Sequence, residues 1–168
     1  MKPLPILLGC SVLLFATACG PKAKNVSSLQ RKEAASLVSE AQFAITIRDY
    51  ARAEGLFAKA AETCPDMGDY WINLGAMRRR LDNRSGAKKA YQHAAEAYGD
   101  AYALNAKQPE LVLQQVYSLS LLGKFEDARA VLEKAHLKHP DNRAIRVFVD
   151  SHELDRLINT PSFKELAL

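Results

Sequence analysis

A recurrence of small and large residues constrains this chain more than any other feature. Ala53, Phe57 and Ala60 return 34 positions later as Ala87, Tyr91 and Ala94, and after a further 41 as Ala128, Leu132 and Ala135. Steps of four and three place each trio on one face of a helix. A turn precedes every trio: Arg48–Tyr50, Asp82–Gly86 and Gly123–Phe125. Pro65 and Pro140 follow the first and third at the same offset. Such a period belongs to repeat units that stack, because one unit alone leaves an apolar face in water and about three are needed to close a core. Composition leans the same way, with only 8 Gly and 7 Pro in 168 residues. The length suits one core plus a leader.

The second copy opens with Trp71-Ile72-Asn73-Leu74-Gly75. Together with the recurrent trios, this run resembles the tetratricopeptide repeat, a pair of antiparallel helices. The resemblance implies an all-α fold, a right-handed superhelix of about three hairpins (34–67, 68–101 and 109–142) with a capping helix at 143–158 and a tail at 159–168. Gly75, Ala53, Ala87 and Ala128 would sit where paired helices cross closely. Phe57, Tyr91, Leu132 and Trp71 would fill the space between hairpins. The chain departs from the family pattern at Glu40, Ala41 and Arg78.

The seven residues added before the third copy are nearly two helical turns, so they shift a helix face by only about 20°. Ala90–Gln108 is therefore expected to run as one helix, with Gly99 as a place for a kink. Ala144, Val147, Phe148, Leu154 and Ile158 supply one face of the expected capping helix. In the tail, Ser162 and Glu165 have capping-box spacing. Phe163, Leu166 and Leu168 form an apolar turn with two possible seats, the chain's own domain or a partner.

At the N-terminus, Lys2 precedes an apolar run from Leu4 to Ala18. Fifteen helical residues reach about 22 Å, short of a hydrocarbon core about 30 Å thick. The run reads as a signal peptide, residues 1–18. Ala16-Thr17-Ala18-Cys19 resembles the lipobox of bacterial lipoproteins, with Ala16 where leucine is usual. That resemblance implies a lipid-modified Cys19, attachment to a membrane by more than one acyl chain, and a place in the bacterial envelope. Gly20 is not the aspartate that retains lipoproteins in the inner membrane, so the outer membrane facing the periplasm is expected. Cleavage after Ala18 to give a soluble periplasmic protein, or an uncleaved anchor, are the alternatives. Residues 19–32 are polar and read as a tether. With Cys10 in the leader and Cys19 modified, Cys64 stands alone.

The net charge of +4 carries no basic stripe with interleaved aromatics, so nucleic acid is not an expected partner. Arg78–Arg80 read as a solvated helix end. His152-Glu153 starts a zinc-helix motif that fails at Arg156. His136 and His139 stand three apart, but histidines near a helix C-terminus suit its dipole. No P-loop, GxGxxG or GxSxG is present. The expectation is a protein without catalytic residues, cofactor or metal.

In the family, the inner face formed by the first helix of each hairpin holds an extended peptide or a helix. Carried over, its positions here are Ala35, Val38, Gln42, Ile45 and Thr46, then Asp69, Ile72, Ala76, Arg79 and Arg80, then Glu110, Leu113, Tyr117, Ser120 and Leu121, with Asn73 beside them. The result would be an apolar trough with one basic edge, suited to an apolar or amphipathic segment of a partner protein. The lysine and asparagine set that clamps a C-terminal carboxylate is missing apart from Asn73. By the same resemblance, the chain is similar to lipid-anchored adaptors that assemble pili and secretion pores. The alternatives are a subunit that self-associates, as a homodimer, through helix 87–106, and a metal-binding protein.

Overall fold

Three turns of one kind set the architecture. The computed structural model describes residues 25–105 and 108–168. In it Arg48, Asp82 and Gly123 adopt left-handed φ angles of 61°, 57° and 71°. They lie at the same 34- and 41-residue intervals as the recurrent trios. At each turn the left-handed residue donates its N–H to the carbonyl three back, Ile45, Arg79 or Ser120. The next residue donates to the carbonyl five back, Ala44, Arg78 or Leu119. This is the Schellman helix stop, which satisfies carbonyls that the ended helix leaves over. At the first two turns the same residue begins the following helix: the Asp49 side chain accepts from the Arg52 N–H, and Asn83 from the Gly86 N–H. Stop and start overlap, so the chain reverses within three residues.

Among the described residues the fold is all-α and solenoid-like, with no strand: α1 (Ser28–Thr46), α2 (Tyr50–Thr63), α3 (Gly68–Arg80), α4 (Arg84–Leu104), α5 (Leu111–Leu121), α6 (Phe125–Lys138), α7 (Arg143–Asp150), α8 (Glu153–Asn159) and α9 (Pro161–Leu166). From α1 to α8, each helix packs on the next, and α9 also returns to α3. All nine recurrent residues are buried. A Cβ on Gly75 would run into the Tyr91 ring, and one on Gly68 into the Tyr98 ring. Seven residues forward in α3 is thus seven back in α4, so the pair is antiparallel and meets through glycine against tyrosine. Phe57, Leu74 and Met77 form the core of the first half with Ala41, Ala44, Ala53, Ala61 and Ala90. Trp71 lies at its edge, half-buried, donating to the Pro65 carbonyl at 3.1 Å and meeting the His93 ring at 4.6 Å with a tilt of 38°. Arg78, one of the departures from the repeat pattern, makes an ion pair with Glu54 at 2.8 Å.

Several boundaries differ from expectation. The leader, Cys19 and the first part of the proposed tether lie outside the described residues. The tether does not reach residue 32, because α1 starts at Ser28 behind a capping box of Ser27 and Gln30. Arg31 holds that first turn to Asp66 at 2.6 Å. α4 passes Gly99 as helix but ends at Leu104 rather than at residue 108. Asn105 there takes φ −124° and ψ 74°, non-helical values.

The single capping helix is replaced by α7 and α8, broken at His152, which is left-handed at φ 52°. Ile145 and Leu154 are nine residues apart, on opposite sides of any continuous helix. Breaking the helix lets both enter one cluster with Leu132 and Ala135. Val147, expected on the inner face, is instead 54% exposed. In the tail the cap is Thr160 with Pro161 in the first turn, not Ser162.

Candidate functional site

Of the expected trough residues, the structure brings four together: Ile72 and Arg79 from α3, Tyr117 and Leu121 from α5. Ile72, Tyr117 and Leu121 join one apolar cluster with Ala87, Tyr91 and Phe163. That face is not open. The chain's own C-terminal segment, α9 and the two residues after it, lies across it. Phe163 is only 3% exposed and meets the Tyr117 ring edge-on at 5.9 Å.

The polar contacts have a common logic. A helix leaves its last carbonyls without intrahelical donors. Here the Tyr91 hydroxyl donates to the Leu166 carbonyl at 3.0 Å. Arg79 donates through Nε to the Ala167 carbonyl at 3.0 Å and through Nη2 to the Glu165 carbonyl at 3.2 Å. The Leu168 N–H donates to the Leu121 carbonyl at 3.0 Å, beside the left-handed turn at Gly123. A cation at the end of α9 also opposes the negative end of its dipole. Every one of these bonds reaches backbone of the tail, none a tail side chain.

The basic edge of the trough is therefore divided. Arg79 is committed to the tail, whereas Arg80 turns away, its guanidinium 5.2 Å from the centre of the Tyr50 ring. Asp69 accepts from the Tyr98 hydroxyl at 2.5 Å. Burial, with that bond second, drives the Tyr98 phenol well above its ordinary range. Burial likewise raises Tyr91 and Tyr117. These phenols stay protonated and able to donate. Val38 and Ile45 on α1 pack half-buried against the first-half core. Gln42 is exposed and Asn73 half-buried. Leu113 packs with the cluster around Val112, Val116 and Ile145, away from the tail. Ala76 of α3 packs against the same cluster as Val38 and Ile45, so the apolar trough positions fall into groups, one against the first-half core and one on the α3/α5 face.

Tyr91 and Phe163 are the two anchors that the trough positions alone do not identify. Tyr91 shows in the sequence only as a core aromatic, since its hydroxyl's role depends on a partner 75 residues away. Phe163 is visible as part of the apolar run of the tail.

The histidines separate. His139 Nε2 lies 3.1 Å from the Tyr102 hydroxyl. His136 instead lines a cavity of about 240 Å³ between α6, α7 and α8, its buried Nδ1 without a hydrogen-bond partner. Among the described residues no three His, Cys, Asp or Glu side chains gather as a metal would need. Nor is any described helix long and apolar enough to cross a membrane. Cys64 is fully buried with its thiol pushed up by burial. No protein-family model matches the chain, and no curated protein matches it.

Proposed function

We propose that this chain is a right-handed superhelix of three tetratricopeptide-type hairpins that acts by holding a segment of another protein on its α3/α5 face. In this reading it is a non-catalytic adaptor or assembly factor. Lipid on Cys19 keeps it at a bacterial membrane, the outer one, with the hairpins in the periplasm. The observation that carries the reading is the occupied seat itself: a face built from Ile72, Tyr91, Tyr117 and Leu121 that holds a six-residue helix by one aromatic ring and by donors to its backbone. The recurring stop at Arg48, Asp82 and Gly123 supports the hairpin assignment, because the turn repeats at the interval of the packing residues.

The test is crosslinked capture from native envelopes, with wild type and Arg79→Glu compared side by side. A specific partner should be captured by wild type and lost with Arg79→Glu while circular dichroism is unchanged. Equal capture by both would remove the α3/α5 face from the reading. The anchor is tested separately by Cys19→Ser, which should move the protein from the membrane to the soluble fraction.

A further inference from the structure

We infer that the α3/α5 face is a receptor for the C-terminal end of a short helix, and that residues 161–168 are a resident ligand that a partner helix of the same chemistry displaces. The inference rests on the binding face proposed above and specifies what it takes. Three features define the ligand. An aromatic side chain, here Phe163, enters against Tyr117. Two to four residues later come helix-end carbonyls without intrahelical donors, here those of Glu165, Leu166 and Ala167, facing Arg79 and Tyr91. An extended residue then pairs with the Leu121 carbonyl, as Leu168 does. Because the donors address backbone, any amphipathic helix end with an aromatic at that spacing meets the same seat.

Two observations make the tail exchangeable. It is held by little: Phe163 is its one deeply buried side chain, and Leu166, Ala167 and Leu168 are half-buried. Six residues are far below the length at which a helix stands alone in water, so α9 persists only while docked. The tail also leaves the seat partly filled. A cleft of about 340 Å³ runs beside it, lined by Arg84, Phe125 and Ile158 from the body and by Phe163 and Lys164 from the tail. A longer or bulkier helix would cover that cleft, giving it the surplus contact needed to compete with a tethered segment.

Exchange can be read with purified components. The probe is a fluorescein-labelled peptide of residues 159–168, titrated by anisotropy against the full chain and against full-length Phe163→Ala. The peptide should bind Phe163→Ala at least about tenfold more tightly than wild type, since the tethered competitor acts at an effective concentration near millimolar. The same peptide with alanine at its aromatic should lose that binding. Equal affinity for both chains overturns the inference. So does absence of binding up to about 1 mM to a Phe163→Ala chain that keeps its helicity.

A second measurement needs no variant. In wild type the Leu168 amide should exchange hydrogen at least about a hundredfold faster than the Ala94 amide, through local opening of the tail. Equal protection would mean that the tail leaves only on global unfolding, and the inference fails. Neither measurement involves a cellular partner. A lost partner with an exchangeable tail condemns the proposed function alone, and a captured partner with a fixed tail condemns this inference alone.

Discussion

The first two hairpins and the C-terminal third both cover apolar faces, by opposite means. In the first, small residues do the work. Ala41, Ala44, Ala53, Ala60 and Gly75 let backbones approach until Phe57 and Tyr91 fill the remaining space, and all seven are buried. In the second, three short helices of 8, 7 and 6 residues fold back over surface that another hairpin would otherwise cover. None is long enough to be helical in isolation. Their order comes from docking: α7 and α8 bury Ile145 and Leu154, whereas α9 docks through one ring and a few backbone bonds and opens at lower cost than a whole hairpin does. Regular packing makes the frame, and the irregular end makes the part that can move.

The sharpest way to break this comparison is to remove two large side chains of the frame in turn, one that also touches the tail and one that does not. Phe57→Ala and Tyr91→Ala should each cost about 3–5 kcal/mol, read by thermal or urea melting. Only Tyr91→Ala should also speed hydrogen exchange at Leu168, because Tyr91 serves both the frame and the tail. If Phe57→Ala frees the tail equally, the two regions are one cooperative unit.

A second large effect comes from alkali. The Tyr91 and Tyr98 phenols are raised by burial, Tyr98 also by its bond to Asp69. A phenol whose folded pKa exceeds its unfolded value near 10 stabilises fully below that pH, and the contribution is lost as pH rises through the folded value. Absorbance at 295 nm should therefore show at least two of the six tyrosines ionising only together with loss of helicity. Smooth ionisation of all six in a folded chain would contradict the buried seats.

Below these sits a contrast between neighbours. Arg79→Ala removes two donors from tail carbonyls and should cost about 1–3 kcal/mol, confined to the tail. Arg80→Ala loses an exposed ring contact, about 0.5–1 kcal/mol. Limited proteolysis near residue 160 should distinguish them, with faster cleavage for Arg79→Ala alone.

Much of the frame was legible because it obeys a period. The trios and Gly75 hold their predicted places, and the three turns fall where expected but end sooner, since Tyr50, Arg84–Gly86 and Phe125 already belong to the following helices. The capping box at Ser27 and Gln30 was equally local, yet a polar stretch read as tether concealed it. The break at His152 was not legible, since a continuous apolar pattern through Val147 and Leu154 looked sound until Ile145 claimed the core instead. Least visible was the seat of the tail. Its bonds run from Arg79 and Tyr91 to backbone carbonyls 75 to 88 residues away, and a carbonyl leaves no mark in a sequence. The sequence marked Arg79 as a binding residue, but nothing in it says that the chain itself is bound.

The smallest effects lie in the turns, and they probe whether the regular region is as uniform as its period suggests. Arg48 and Asp82 occupy left-handed φ values that Gly123 fills without strain. A side chain costs roughly 1–2 kcal/mol there, while glycine returns about 0.4–1 kcal/mol to the unfolded chain as entropy. Arg48→Gly and Asp82→Gly should therefore raise stability by a few tenths to about 1 kcal/mol, and Gly123→Ala should lower it by a similar amount. The third turn has a further partner, since a Cβ on Gly123 would come within 3.9 Å of the Leu168 carbonyl oxygen, an ordinary contact. If strain alone governs, Gly123→Ala changes the melting point and leaves the exchange rate at Leu168 in step with global stability. If that rate rises by more than stability accounts for, the third turn belongs energetically to the movable end, and the border between the two regions runs through the third hairpin.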